Sequence, residues 1–305
     1  MSLESKASRL IDRSDQLKKV RSFFDKRCVY EVDTPLLVEY PNLDTHIELF
    51  KAYDGYKERY LHTSPEFGMK RLLSILKKDI YQLSHVFRAC EFGSKHNPEF
   101  MMIEWYRIGK NLEFLIEETV ELIKLFIEPK EIESLSYFDL FKRETGIDLL
   151  QSSDDDLTAF LNGLQIDYPI TLNFYEKVDF IFSFFVEPNL KELTIVKGFP
   201  EWQKALAKVK GNQAMRFEIY YGSIELANGY DELLDPQEQK RRFLSVIEER
   251  DQQGKSPFSI DDRFLSALPL IPECSGVAVG FDRLMMIRHQ AKKIGEVIPF
   301  DYSEI

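Results

Sequence analysis

Residues Ser84–Arg107 read SHVFRACEFGSKHNPEFMMIEWYR, and the placement of the rest of the chain follows from this stretch. Two apolar runs flank a polar loop, the pattern of an antiparallel strand pair. Successive side chains of a strand alternate between its faces. On the returning run, Phe100, Met102, Glu104 and Tyr106 therefore share one face, and Met101, Ile103, Trp105 and Arg107 the other. One face carries an aromatic ring, a carboxylate and a phenol in series, with Arg88 arriving from the neighbouring strand. Such a face suits the floor of a site for a ligand holding both positive and negative charge.

Upstream, TSPEFGMKRLL turns from strand to helix at Thr63-Ser64-Pro65-Glu66. Ser64 or Thr63 can cap the helix, Pro65 suits its first turn, and Glu66 favours the positive end of the dipole. Glu66 is then either a helix-start carboxylate or a group facing an amine in a cleft. Further back, Leu10, Leu17, Val20 and Phe24 predict an amphipathic helix over about Glu4–Lys26. VYEVDTPLLVEY follows as an extended run, with Pro35 marking an edge or bent strand of the kind used at subunit seams.

Downstream, Leu112–Ile127 has helical spacing. From about 128 to 198 the character shifts to short helices broken at Pro129, Gly146, the Asp154-Asp155-Asp156 run and Pro169. This reads as a helical insertion in one catalytic domain spanning 1–305. The Asp run reads as a solvated helix start, and Phe180, Phe182, Phe184 and Phe185 as core.

RFEIYYGSIELANGYDELL, Arg216–Leu234, is a second hairpin. Gly222-Ser223 forms a glycine-first two-residue turn between alternating runs. Regular pairing sets Tyr220 opposite Glu225 and Ile219 opposite Leu226, with Glu218 diagonal to Glu225. Two carboxylates at that spacing repel unless a cation lies between them, and hard oxygens suit Mg²⁺ bridging to phosphate. An ordinary solvated sheet face is the other reading. Near the C-terminus, ECSGVAVGFDRLMMIR is an apolar strand running into a helix. Gly276 and Gly280 permit close approach to its backbone, Asp282 can cap the helix, and Arg283 in the first turn asks for an anionic partner.

The net charge of −11 argues against non-specific binding along a nucleic-acid backbone. Three scattered cysteines without a C-x-x-C pair predict a reduced, cytoplasmic protein. The chain has no signal-peptide core and no apolar run long enough for a membrane span. It also lacks a Walker-A loop and a G-x-G-x-x-G motif.

Arginines and carboxylate-held Mg²⁺ on an antiparallel sheet can bind ATP without a glycine-rich loop. They point to a substrate carboxylate attacking the α-phosphorus to give an acyl-adenylate. That carboxylate is already ionised, so positioning and charge stabilisation suffice.

FRACEFGSKHNPEF resembles motif 2 of the class II aminoacyl-tRNA synthetases in its lysyl form. GVAVGFDRL is similar to motif 3, and the Pro35 strand to motif 1. Together with TSPEFGMKRLL, HNPEFMMIEWYR, IESLSY and the Arg216–Leu234 run, the set resembles one lysyl-tRNA synthetase-like branch. Its members attach (R)-β-lysine to a lysine of translation elongation factor P. The resemblance spans about Arg9–Phe300 and implies an α+β fold, a mostly antiparallel sheet flanked by helices. It implies Arg88 and Arg283 on the phosphates of ATP, Glu91, His96, Asn97, Leu226 and Gly280 near the nucleotide, and Phe100 against adenine. Glu218 and Glu225 would hold Mg²⁺. Glu66, beside Ser64 and Pro65, would take the amino group near the substrate carboxylate. Glu104, Tyr106 and Glu232 would surround the distal ammonium, with Asn228 and Tyr230 beside them.

Two features point within the family. The chain starts almost at the motif 1 helix, so no anticodon-binding domain is expected and tRNA is not the expected acceptor. Ala278 stands where lysyl-tRNA synthetases have glycine, which favours a substrate with its amino group on the β-carbon. One departure concerns Cys90, which occupies the place of a motif 2 glutamate, with Glu91 following as its substitute. A homodimer through the motif 1 region is also implied. A paralogue using another acceptor and an inactive regulatory paralogue are the alternatives.

Overall fold

In a computed structural model of the protein, residues 2–45, 47–169, 171–255 and 259–305 are described. The chain divides into two compact units, residues 1–128 with 232–305, and residues 129–231.

The first unit is built on the Ser84–Arg107 hairpin. Its strands run Ile80–Phe87 and Glu99–Ile108, pairing antiparallel with Val86 opposite Phe100 and Gln82 opposite Glu104. Tyr30–Glu31 lies parallel to the outgoing strand, and Cys274–Gly280 antiparallel to the returning one. The two faces of the returning strand have different uses. Trp105 is fully buried, its indole N–H donating to Glu118 at 2.9 Å. The helix Leu3–Asp25 covers this side, with Phe24 stacked on Tyr81 at 4.2 Å and edge-on to Trp105 at 5.3 Å. Aromatic pairs in these geometries add about 0.5–1.5 kcal/mol each beyond area burial. This rigid apolar side leaves the Glu104 face available for polar groups. A small sheet of Leu37–Val38, Glu58–Leu61 and Lys51–Tyr53 also belongs to this unit.

In the second unit, Ile224–Asp231, Gln213–Tyr221, Leu193–Pro200 and Ile132–Ser136 lie side by side in that order, antiparallel except for the last pair. The insertion read at about 128–198 falls inside this unit. Its helices pack a core of Tyr137, Phe141, Leu157, Ile181 and Phe199. The Asp run opens the helix Asp154–Gly163 with a capping box between Ser153 and Asp156. The four phenylalanines do not all enter the core. Phe182 is buried, but Phe184 is 66% exposed and stacks on Phe180. A π-helical turn over Phe182–Val186 directs residues 182 and 186 inward and 184 outward.

Gly222 takes φ +54, the left-handed conformation that the first position of this turn needs. The expected pairing of Ile219 with Leu226 is not formed. Tyr220 does face Glu225, but Ile219 faces Ala227, so Leu226 is an extra residue in a bulge. The mixed, mainly antiparallel strands with flanking helices make an α+β fold. Among the described residues no helix is long and apolar enough to cross a membrane.

Candidate active site

In the first unit, helix Glu66–Leu76 and the strands Glu99–Ile108 and Cys274–Gly280 bring Ser64, Glu66, Glu104, Tyr106, Glu232 and Ala278 to one pocket. Glu104 is buried and accepts from the Tyr106 hydroxyl and the Ser64 hydroxyl, each at 2.7 Å. Ser64 Oγ in turn accepts from the Glu66 backbone N–H at 3.0 Å, so Ser64 ties the helix start to the carboxylate. The helix begins directly after Pro65, with no side-chain cap on that residue. Burial, and then the Glu66 carboxylate, push the Glu104 carboxyl up to about 8, opposed by the Ser64 and Tyr106 hydroxyls and by Lys70. Burial and the Glu104 charge hold the Tyr106 phenol well above its ordinary value, so it stays a neutral donor.

Lys70 was not singled out by the sequence reading, yet it occupies the centre of this cluster. Its ammonium lies 2.6 Å from both Glu66 Oε1 and Glu232 Oε2, and its side chain is 1% exposed. Burial works against its charge, but Glu232 and Glu66 outweigh that and hold its pKa above the ordinary lysine value. The signal was present as a Glu-to-Lys spacing of four on a helix.

The neighbouring strand closes the pocket tightly. Gly276 pairs with Tyr106 and Ala278 with Glu104, so both face the same side. A methyl on Gly276 would collide with the Tyr106 ring and Glu232 Oε1. At Gly280 the nearest atoms to an added methyl belong to Arg283, at an ordinary 3.5 Å, so within the protein the tight packing is at Gly276.

The same unit holds the arginines. The Arg88 guanidinium sits 5.2 Å from the Phe100 ring centroid, and Glu91 is 3.8 Å from Arg88. Cys90 turns the chain with φ +65. Arg283 meets the His96 ring at 2.8 Å. Asn97 is buried in a scaffold role, donating to Glu99 O at 2.7 Å and accepting from Tyr302 N at 3.0 Å. Asp282 does not cap its helix, where Gly280 is the N-cap. It accepts instead from Arg13 and from the Met101 backbone N–H. This anchors the helix that carries Arg283 to the returning strand.

In the second unit the bulge has a chemical consequence. In a regular strand Glu225 would face away from Asn228 and Tyr230, because the side-chain period is two. With Leu226 extra, Glu225 lies opposite Tyr220, Asn228 opposite Glu218 and Tyr230 opposite Arg216, all on one face. Leu226 itself is buried at 2% exposure. Glu218 is buried between Arg216 and Tyr220, both of which donate to it. Burial pushes its carboxyl up, Arg216 pulls it back, and Glu225 adds to the rise. A cation bridging Glu218 and Glu225 would relieve that repulsion. Two carboxylates completed by phosphate and water suit Mg²⁺, and no larger acidic, His or Cys cluster competes for a metal among the described residues.

A family model described as tRNA synthetases class II (D, K and N) matches residues 1–303. The chain belongs to this family. A protein of Haemophilus ducreyi named elongation factor P–(R)-β-lysine ligase is 41% identical over 303 residues, covering 95% of this chain and 93% of that one. Proteins of the same name in Pasteurella multocida and Haemophilus influenzae are 39% identical, each covering 95% of this chain and 94% of theirs. Membership makes the chain a ligase of the class II synthetase type, in agreement with the α+β fold above.

Proposed function

We propose that the protein activates (R)-β-lysine with ATP and transfers it to a lysine side chain of translation elongation factor P. The observation that carries this reading is the buried excess of carboxylates around Glu104. Three carboxylates share one pocket with a single internal ammonium. Burying charges of one sign is costly unless opposite charges join them, so the pocket calls for a ligand bearing more than one ammonium. A diamino acid meets that demand. Glu66 receives the amino group near the substrate carboxylate, and Glu104, Tyr106 and Glu232 receive the distal one. The Ala278 methyl beside Glu104 favours the β-amino isomer, and the names of the relatives support the same substrate and acceptor.

The chemistry balances in two steps. A substrate carboxylate oxygen attacks the α-phosphorus of ATP, and the bond to pyrophosphate breaks. The acceptor lysine, having given up one proton to become the free amine, then attacks the acyl carbon. The bond from that carbon to the phosphate oxygen breaks, AMP leaves, and the nitrogen releases a second proton to solvent. Arg88 and Arg283 neutralise phosphate charge, and Phe100 offers the adenine a ring to stack on. Mg²⁺ held by Glu218 and Glu225 would supply further charge neutralisation on the phosphates. Exposed Tyr30, Leu36 and Leu37 support pairing of two copies through the motif 1 region. Elongation factor P as acceptor places the reaction in the cytoplasm.

The test is ATP–pyrophosphate exchange with (R)-β-lysine and with α-lysine, followed by transfer assays on elongation factor P and tRNA-Lys side by side. Exchange should require Mg²⁺ and favour (R)-β-lysine, and label should reach the protein. Label on tRNA-Lys alone would overturn the reading.

A further inference from the structure

We propose that Lys70 is a specificity-determining residue, whose fixed ammonium sets the pocket's net charge to match the two ammonium groups of the acyl-adenylate. This rests on the function proposed above and adds a residue that the sequence reading did not assign.

Lys70 is a built-in part of the site. It projects from helix Glu66–Leu76, its side chain is 1% exposed, and one nitrogen bonds Glu66 and Glu232 at 2.6 Å each. The two carboxylate oxygens therefore lie no more than twice that distance apart, and a cation between them suppresses their repulsion. Once a bound ammonium draws the proton from Glu104, so that Glu66, Glu104 and Glu232 are ionised against a charged Lys70, the cluster carries two net negative charges. (R)-β-lysine brings two ammonium groups and one carboxylate. On adenylation that carboxylate becomes an acyl-phosphate ester and loses its charge, so the bound acyl group carries two positive charges. The buried charges then cancel.

Among the described residues, Lys70 is the cation that acts on the Glu104 carboxyl. Glu104 faces Ser64, Glu66 and Lys70 from the helix start and helix and Tyr106 from its own strand, and Glu232 acts on Tyr106. On the flanking strands, Gln82 and Ala278 lie opposite it and are uncharged, and Gln82 accepts from Thr34. Without Lys70, three carboxylates would crowd one site and hold their protons to a still higher pH than Glu104 does beside that ammonium. A diammonium substrate would have to displace those protons to bind.

The experiment measures pyrophosphate exchange with (R)-β-lysine from pH 6 to 9, because the pH dependence of kcat/KM reports ionisations of the free enzyme. It compares wild type, Lys70→Met, Lys70→Arg and the double variant Lys70→Met/Glu66→Gln. Lys70→Met should lose at least about tenfold in kcat/KM at pH 7, chiefly through KM, and its acid limb should move up by about one pH unit or more. Lys70→Arg should keep the wild-type limb. The double variant, with one carboxylate removed, should return the limb to the wild-type position.

A Lys70→Met limb at the wild-type pH, or a double variant whose limb stays at the Lys70→Met position, would overturn the proposal; a lower rate in the double variant is expected from the lost Glu66 contact and is not the readout. If Lys70→Met does not fold, the double variant decides. Folded with a wild-type limb it supports the charge balance, and unfolded it refutes it. No exchange by the wild-type enzyme with either lysine isomer would refute the proposed function itself, and this inference with it.

Discussion

Replacing Glu104 with Gln should make the ligand-free protein more stable at alkaline pH while removing its activity. Glu104 has a carboxyl raised from 4.5 to about 8, chiefly by burial. A folded pKa above the unfolded one means that the folded state holds the proton more tightly. The associated stability is complete below about 4.5 and is lost as pH rises to about 8. A Gln at this position keeps the shape, accepts one hydroxyl bond and has no charge to bury.

Integrating the linkage gives a growing advantage for Glu104→Gln over wild type, on the order of 4 kcal/mol between pH 5 and pH 9. Titrations remote from Glu66, Lys70 and Tyr106 are common to both proteins and cancel in the difference. Urea unfolding of both proteins at pH 5, 7 and 9 without ligand measures it. The same substitution leaves a substrate ammonium without its carboxylate. Breaking a buried pair costs about 3–5 kcal/mol, so exchange should fall by roughly a hundredfold or more. A stability difference that stays constant from pH 5 to 9 would refute the burial argument for Glu104.

Three further outcomes are expected. Gly276→Ala sets a methyl against Tyr106 and Glu232 and should cost about 1–3 kcal/mol in thermal or urea unfolding, with exchange lost even where the protein still folds. Glu225→Ala should abolish adenylate formation with the circular dichroism spectrum intact, and an active variant would remove the metal assignment. Ala278→Gly should shift the ratio of (R)-β-lysine to α-lysine exchange towards α-lysine, by about tenfold for one methyl-sized change, and an unchanged ratio would refute the Ala278 argument.

Much of this molecule was legible in strand parity and helix spacing. Alternation alone separated the Glu104–Tyr106 face from the Trp105 face, and the structure uses them as pocket and core. The glycine-first turn at Gly222 was equally legible, because a left-handed conformation restricts the residue that can occupy it. Strand and helix patterns placed Glu66 and Arg283 in the first turns of helices and Glu218 and Glu225 on paired strands.

What parity could not decide was where the pattern breaks. The Leu226 bulge reverses parity within one strand, and nothing in the alternating run marks it, since a bulge reflects the pairing of both strands. Phe184 was misplaced because hydrophobicity predicts burial only while helical phase holds, and a π-turn shifts that phase. Lys70 shows the limit most clearly. Its spacing from Glu66 is local and is that of an ordinary helix pair, but Glu232 is far away in sequence. Local chemistry, set by residue type and period, was determined by the sequence itself. The charge of the pocket was decided by the tertiary structure, because it is a sum over groups that only folding brings within reach of one another.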